Sequence, residues 1–169
     1  MDRPDFRHFK LRNRKMISVC CGATPPASEL EIAYEVGREI AKRGAILVCG
    51  GLGGSMEAAC RGAKECGGLT VGIIPVYEKN AANEWVDIVI PTGLGHSRNN
   101  LVAATGDGVI GVGGGWGTLS ELAIAAKMKK PVAVLGDWEI SAPPGVTGVI
   151  KRARNAEEAV SIAMGETVD

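Results

Sequence analysis

The residues of this chain best suited to chemistry lie in two glycine-rich stretches and one short basic segment. "GVGGGWGTLSEL", Gly111 to Leu122, places Gly113, Gly114, Gly115 and Gly117 directly ahead of Thr118 and Glu121. "CGGLGGSMEAA", Cys49 to Ala59, sets Gly50, Gly51, Gly53 and Gly54 before a second helical run. Glycine accepts positive φ and lets backbone N–H groups approach a ligand, and the N-terminus of the helix that follows favours an anion. One such turn says little, because tight strand-to-helix connections need glycine anyway. Two turns facing one crevice point to a phosphate-bearing ligand. The third segment is "PTGLGHSRNN", where Arg98 falls in or near the first turn of another helix. A cation there opposes the helix dipole unless an anion lies beside it. A ligand phosphate or the Glu121 carboxylate is the expected partner, and a surface arginine is the plain alternative. His96 reads as a solvent-facing loop residue.

Glu121 carries two readings. Thr118-Leu119-Ser120-Glu121 has the Ser/Thr-x-x-Glu spacing of a capping box, and Ser28-Glu29-Leu30-Glu31 repeats it with no glycine run ahead. The spacing therefore predicts caps at both helices, and the glycines alone distinguish the second as an anion site. No Gly-Lys-Ser/Thr follows the second turn, so it is not a Walker loop. A dinucleotide fingerprint would occupy the first strand-to-helix turn, here "CCGATPPAS", and would need an acid ending the second strand, where Cys49-Gly50 stands. A redox dehydrogenase is thereby disfavoured.

The elements that must position these residues alternate. "MISVC", "AILVCGG", "LTVGIIP", "VDIVIP", "GVIGVGG" and "PVAVLG" are apolar strand-like runs, and "GVIKRA" is a weaker last one. Between them, "SELEIAYEVGREIAKRG" carries Leu30, Ala33, Val36, Ile40 and Ala41 at helical spacing, with Gly44 suited to its C-terminal cap. Helices are also expected at "SMEAACRGAKECGG", "SRNNLVAAT", "TLSELAIAAKMKK" and "NAEEAVSIAMG". Continuously apolar strands flanked by helices imply an α/β, Rossmann-like, doubly wound and mostly parallel sheet of about six or seven strands, with helices on both faces. Residues 15–169 read as a single domain of this kind, and residues 1–14 as a basic leader. Ligands of such sheets bind beyond the carboxyl ends of the strands, where both glycine turns fall.

Net charge is zero and charged residues make up 22% of the chain, which gives no general affinity for nucleic acid or an anionic membrane. No apolar run approaches the roughly 20 residues of a membrane span, and no signal-peptide core follows the N-terminal charges. A cytoplasmic location is expected. The 5 cysteines lack zinc-like spacing, so no metal site is expected and reduced thiols are. Cys20, Cys21 and Cys49 end apolar strands and are placed to gather near one site.

"GGGWGTLSE" resembles the PGGxGTxxE motif of the Lonely Guy family of phosphoribohydrolases, often mislabelled lysine decarboxylases, and "GGLGGSMEAA" resembles that family's first glycine-rich turn. The branch typified by the molybdenum cofactor carrier protein is the closer likeness, over about Lys15 to Ala163. This resemblance implies a homo-oligomer, dimer or tetramer, with a phosphate held by Gly114, Gly115, Gly117 and Thr118. Gly50, Gly51, Gly53 and Gly54 would line the same crevice. It implies a nucleotide-like or pterin-like phosphorylated ligand, with molybdenum cofactor or a nucleoside monophosphate as candidates. In the hydrolase branch the arginine and glutamate, here Arg98 and Glu121, serve cleavage of an N-glycosidic bond. Three departures lean toward the carrier branch: Gly113 replaces the motif's proline, Glu57 replaces a glycine, and Asn99 stands where the hydrolases carry lysine. The decarboxylase label gains no support, since no lysine is marked out for a pyridoxal Schiff base.

Overall fold

The computed structural model describes residues 13–168, so the basic leader expected over residues 1–14 falls, up to residue 12, outside the described residues. Seven strands form one all-parallel sheet in the order β4-β3-β2-β1-β5-β6-β7. They are β1 (Met16–Cys21), β2 (Ile46–Cys49), β3 (Leu69–Ile74), β4 (Ile88–Pro91), β5 (Gly108–Val112), β6 (Val132–Leu135) and β7 (Ile150–Arg152). Every residue of β2, β5 and β6 is buried. That is why their sequences are continuous apolar runs with no alternation: both faces are covered. The expected α/β doubly wound fold is what the chain forms.

The connections are α1 (Ala27–Lys42), α2 (Ser55–Glu65), α3 (Asn99–Thr105), α4 (Trp116–Lys127) and α5 (Ala156–Ala163). One core layer packs Ala33, Val36 and Ile40 of α1, Ala59 and Ala63 of α2 and Val160 of α5 under the sheet. The opposite layer packs Val102 of α3 and Leu122 and Ala125 of α4. Strand order reverses between β1 and β5, whose registers pair Cys20 with Gly111 and Cys21 with Val112. The crevice beyond these two carboxyl ends is the topological switch point of the sheet.

Helix ends follow local chemistry. Gly44, at φ 69°, closes α1: its N–H reaches the Ala41 carbonyl, and the Ala45 N–H reaches that of Ile40, a Schellman arrangement. The two expected capping boxes do not form. Pro26 is the N-cap of α1, with Ser28 already inside the first turn, and Gly115 is the N-cap of α4, with neither position making a side-chain cap. The fixed φ of proline and the extended backbone of Gly115 start these helices two to three residues earlier than the Ser/Thr-x-x-Glu spacing suggests. A side-chain cap occurs instead at α5, where Asn155 accepts the Glu158 N–H at 2.9 Å.

The pairing of α1 with α2 rests on two glycines. A Cβ at Gly37 would meet the Ala59 carbonyl oxygen at 1.9 Å, and one at Gly62 would meet that of Tyr34 at 2.1 Å. The obstructing atoms are backbone, so the helices must separate to admit a methyl group. Gly37→Ala is expected to destabilise the protein by about 2 kcal/mol net in urea unfolding, the clash exceeding the roughly 1 kcal/mol gain in helix propensity. An unchanged or raised midpoint contradicts this packing.

Candidate functional site

Three strand ends converge on a cavity of about 280 Å3 at the switch point. From β1 come Cys20 and Cys21, followed by Gly22; Gly50 follows β2; the turn after β5 supplies Gly115, and the start of α4 supplies Gly117, Thr118 and Glu121. Arg98 enters from the single turn Gly95–Arg98 ahead of α3, together with His96 and Asn99. His96 is exposed, as its loop position suggests.

Arg98 and Glu121 meet, which settles the partner question that the arginine's position raises. Their closest N···O approach is 3.7 Å, and they are 9% and 5% exposed. The guanidinium donates Nη1 to Asn99 Oδ1 at 2.6 Å and Nη2 to the Gly50 carbonyl at 3.4 Å. Its Nε is buried without a hydrogen-bond partner among the described residues. Gly50 permits this placement, because a Cβ there would lie 2.6 Å from Nη2. Asn99 in turn donates to Ser120 Oγ at 3.2 Å, tying Arg98 to the helix that carries Glu121.

Burial pushes the Glu121 carboxyl up to about 7, against the opposing pull of a Cys20 hydrogen bond and the Arg98 charge. At 3.7 Å the ion pair is too long for a hydrogen bond, so its attraction does not offset desolvation. The same burial, reinforced by Glu121, holds the Cys20 thiol well above its ordinary value. Cys21 is raised by burial and then by Cys49. Cys49 is lowered by a hydrogen bond from Cys60, whose sulfur lies 3.5 Å away. The three strand-end cysteines therefore do gather beneath one site. All five are free thiols, and among the described residues no cluster of metal-ligating side chains occurs.

The glycines divide by task. Gly115 and Gly117 line the cavity, and the N–H groups of Trp116, Gly117 and Thr118 open α4, where a helix has no internal acceptors for them. Gly114 lies outside that lining and donates its N–H to Glu29 Oε2 at 3.2 Å. Of the glycines in the first turn, Gly50 alone lines the cavity, beside Leu52. Gly51 packs under β3, a Cβ there falling 2.7 Å from Ile74, and Gly54 lies against the Ala23 carbonyl at a would-be 2.3 Å. Gly53 meets no close neighbour but the Glu57 carboxylate. Two residues that sequence reasoning passed over shape the turn. Trp138 donates its indole N–H to the Gly113 carbonyl at 2.7 Å and packs beside Trp116, and Glu29 reaches it from α1. Both contacts are long-range and leave no local signal.

The fold and this site define a Rossmann-like α/β protein with paired glycine turns and a buried Arg–Glu pair at the switch point. Over residues 14–164 the chain matches the model of the SLOG cluster4 family, and it belongs to that family. It is 38% identical over 133 residues to a cytokinin riboside 5′-monophosphate phosphoribohydrolase of Mycobacterium tuberculosis, covering 72% of this chain and 71% of that one. The molybdenum cofactor binding protein of Rippkaea orientalis superposes with a TM-score of 0.80 at 34% identity, over 90% of this chain and 96% of the other. The molybdenum cofactor carrier protein of Chlamydomonas reinhardtii gives 0.76 at 34% identity, over 90% and 98%. These relatives bear out the resemblance to the Lonely Guy and molybdenum cofactor carrier superfamily.

A carboxyl that ionises near 7 when folded but near 4.5 in its ordinary state leaves a pH signature. Between these values the folded protein holds a proton that the unfolded chain has lost, so stability falls as pH rises through the window. The loss from pH 4.5 to above 7 is expected to be on the order of 3 kcal/mol, and Glu121→Gln should remove that slope. Parallel pH–stability curves for the two proteins contradict the assignment.

Proposed function

We propose that this chain is a binding protein for a small phosphorylated pterin-like or nucleotide-like ligand, with molybdenum cofactor as the candidate cargo. The observation that carries this reading is the α4 N-terminus: amides of Gly117 and Thr118, without a partner among the described residues, open into a cavity that Arg98 also lines. A phosphate there accepts several N–H bonds at a positive helix end and has a guanidinium nearby. The cavity takes a phosphate and an attached sugar or comparable group, leaving a planar ring toward the mouth. Likeness to the molybdenum cofactor proteins over almost their whole length supports the same reading. Asn99 supports it too, because it supplies an amide that positions Arg98 where the hydrolases carry a lysine.

A second reading is favoured by Glu121. A buried carboxyl near 7 is suited to proton transfer at neutral pH and, when ionised, to stabilising the oxocarbenium character of a breaking glycosidic bond. That chemistry is cleavage of a nucleoside 5′-monophosphate into free base and ribose 5-phosphate, with water adding to the anomeric carbon. Here Arg98 would hold the phosphate or the Glu121 carboxylate.

We further propose a homo-oligomer, dimer or tetramer. Exposed Val146 and Val149 line an apolar groove against the outer side of α4, which supports an interface there. The inner stripe of the same helix covers the sheet. Among the described residues no helix is long and apolar enough to cross a membrane.

The test mixes the protein with AMP, CMP, GMP and N6-substituted AMP, follows base release, and measures molybdopterin affinity in parallel. The carrier reading expects tight molybdopterin binding, no base release, and a loss of about 10- to 100-fold in affinity with Arg98→Ala, a charge-assisted contact being removed. Base release abolished by Glu121→Gln and Arg98→Ala overturns it in favour of the hydrolase.

A further inference from the structure

The Glu29 carboxylate lies on the phosphate cradle. It stands in the first turn of α1, yet its Oε2 accepts the Gly114 N–H from a turn 85 residues later, at 3.2 Å. The neighbouring glycine is shaped around it. Gly113 adopts φ 48°, and a Cβ at that position would fall 2.0 Å from Glu29 Cδ and 2.1 and 2.3 Å from its two oxygens. No side chain fits at position 113 while Glu29 is seated. The carboxylate thus sits where two helix N-termini converge, its own and that of α4, in surroundings that favour any anion. It is half-buried, on a side chain with three rotatable bonds.

We infer that Glu29 is an internal anion that competes with the ligand's phosphate for the Gly113–Thr118 turn, making it a specificity-determining residue that must yield when the ligand binds. The inference rests on the phosphate reading above. An incoming phosphate takes over the Gly114 amide or, if it binds only deeper at Gly117 and Thr118, sits beside a like charge. Either way its affinity is lowered by Glu29. Ligands lacking the phosphate feel neither the competition nor the repulsion. For a carrier, a resident carboxylate that re-forms its bond to Gly114 as the phosphate leaves favours hand-over, since the turn's amide is not left unpaired.

The test is calorimetric titration of wild type, Glu29→Gln and Glu29→Ala with AMP, inorganic phosphate and adenosine. Each variant should bind AMP and phosphate about tenfold more tightly than wild type, the scale of removing one partly screened like charge and one competing acceptor. Adenosine affinity should not change. A different role, Glu29 as a strap that holds the turn in shape, predicts the opposite sign: weaker AMP binding and lower stability. AMP or phosphate binding that the variants leave unchanged or weaken overturns this inference alone. If neither wild type nor variant binds either anion while molybdopterin binds all three proteins alike, this inference falls and the phosphate reading stands; if molybdopterin fails to bind as well, both fall.

Discussion

A carboxyl and a guanidinium, both almost sealed from water, approach to 3.7 Å beneath the switch point of the sheet without forming a hydrogen bond. Burying two charges costs more than such an imperfect contact returns, and Glu121 responds by keeping its proton to about pH 7. The arrangement holds because everything around the pair is fixed. Arg98 is anchored on the Gly50 carbonyl and Asn99, and Asn99 on Ser120 of the helix that carries Glu121. Losing the Gly50 or Asn99 contact strips partners from a buried guanidinium, whose Nε already lacks one among the described residues. The site therefore holds a buried guanidinium beside a carboxyl that keeps its proton, which is the electrostatics on which the proposed anion site rests.

The glycines are the second constraint, and they act through absence. Gly50 makes room for a guanidinium, Gly113 for a carboxylate, and Gly51 and Gly54 for the β3 and β1 connections. Only some of them face the cavity. A glycine-rich turn is thus a record of close approaches in several directions, of which the proposed ligand contact is one. The sheet order explains why they converge. β1, β2 and β5 are neighbours in space, so turns separated by some sixty residues in sequence open at the same end.

The central strands were legible because both faces of the parallel sheet are covered there, which makes β2, β5 and β6 uninterrupted apolar runs, whereas the edge strand β7 reads Ile-Lys-Arg and is largely exposed. The Arg98–Glu121 pairing was legible for another reason: a cation at a helix start lacks a local excuse and calls for an anion. The capping boxes misled because Ser/Thr-x-x-Glu spacing ignores what precedes it. Pro26 and Gly115 already start the helices, without a side-chain cap, so Ser28, Thr118 and Glu121 are carried inside. Freed from the cap, Glu121 turns to Arg98 and Thr118 is buried. Glu29 and Trp138 were invisible because each meets the Gly113–Gly114 turn across the fold, and no spacing encodes such contacts.

The central claim is that one ligand site joins the α4 N-terminal amides to the Arg98–Glu121 pair. A crystal structure with a bound nucleoside 5′-monophosphate tests it most directly. The account predicts the phosphate within hydrogen-bond distance of the Gly117 and Thr118 amides, with the sugar over Arg98 and Glu121. A phosphate seated elsewhere, for example beside Arg152 and Arg154 in the groove between α1 and β7, with these amides free of it, would contradict the account.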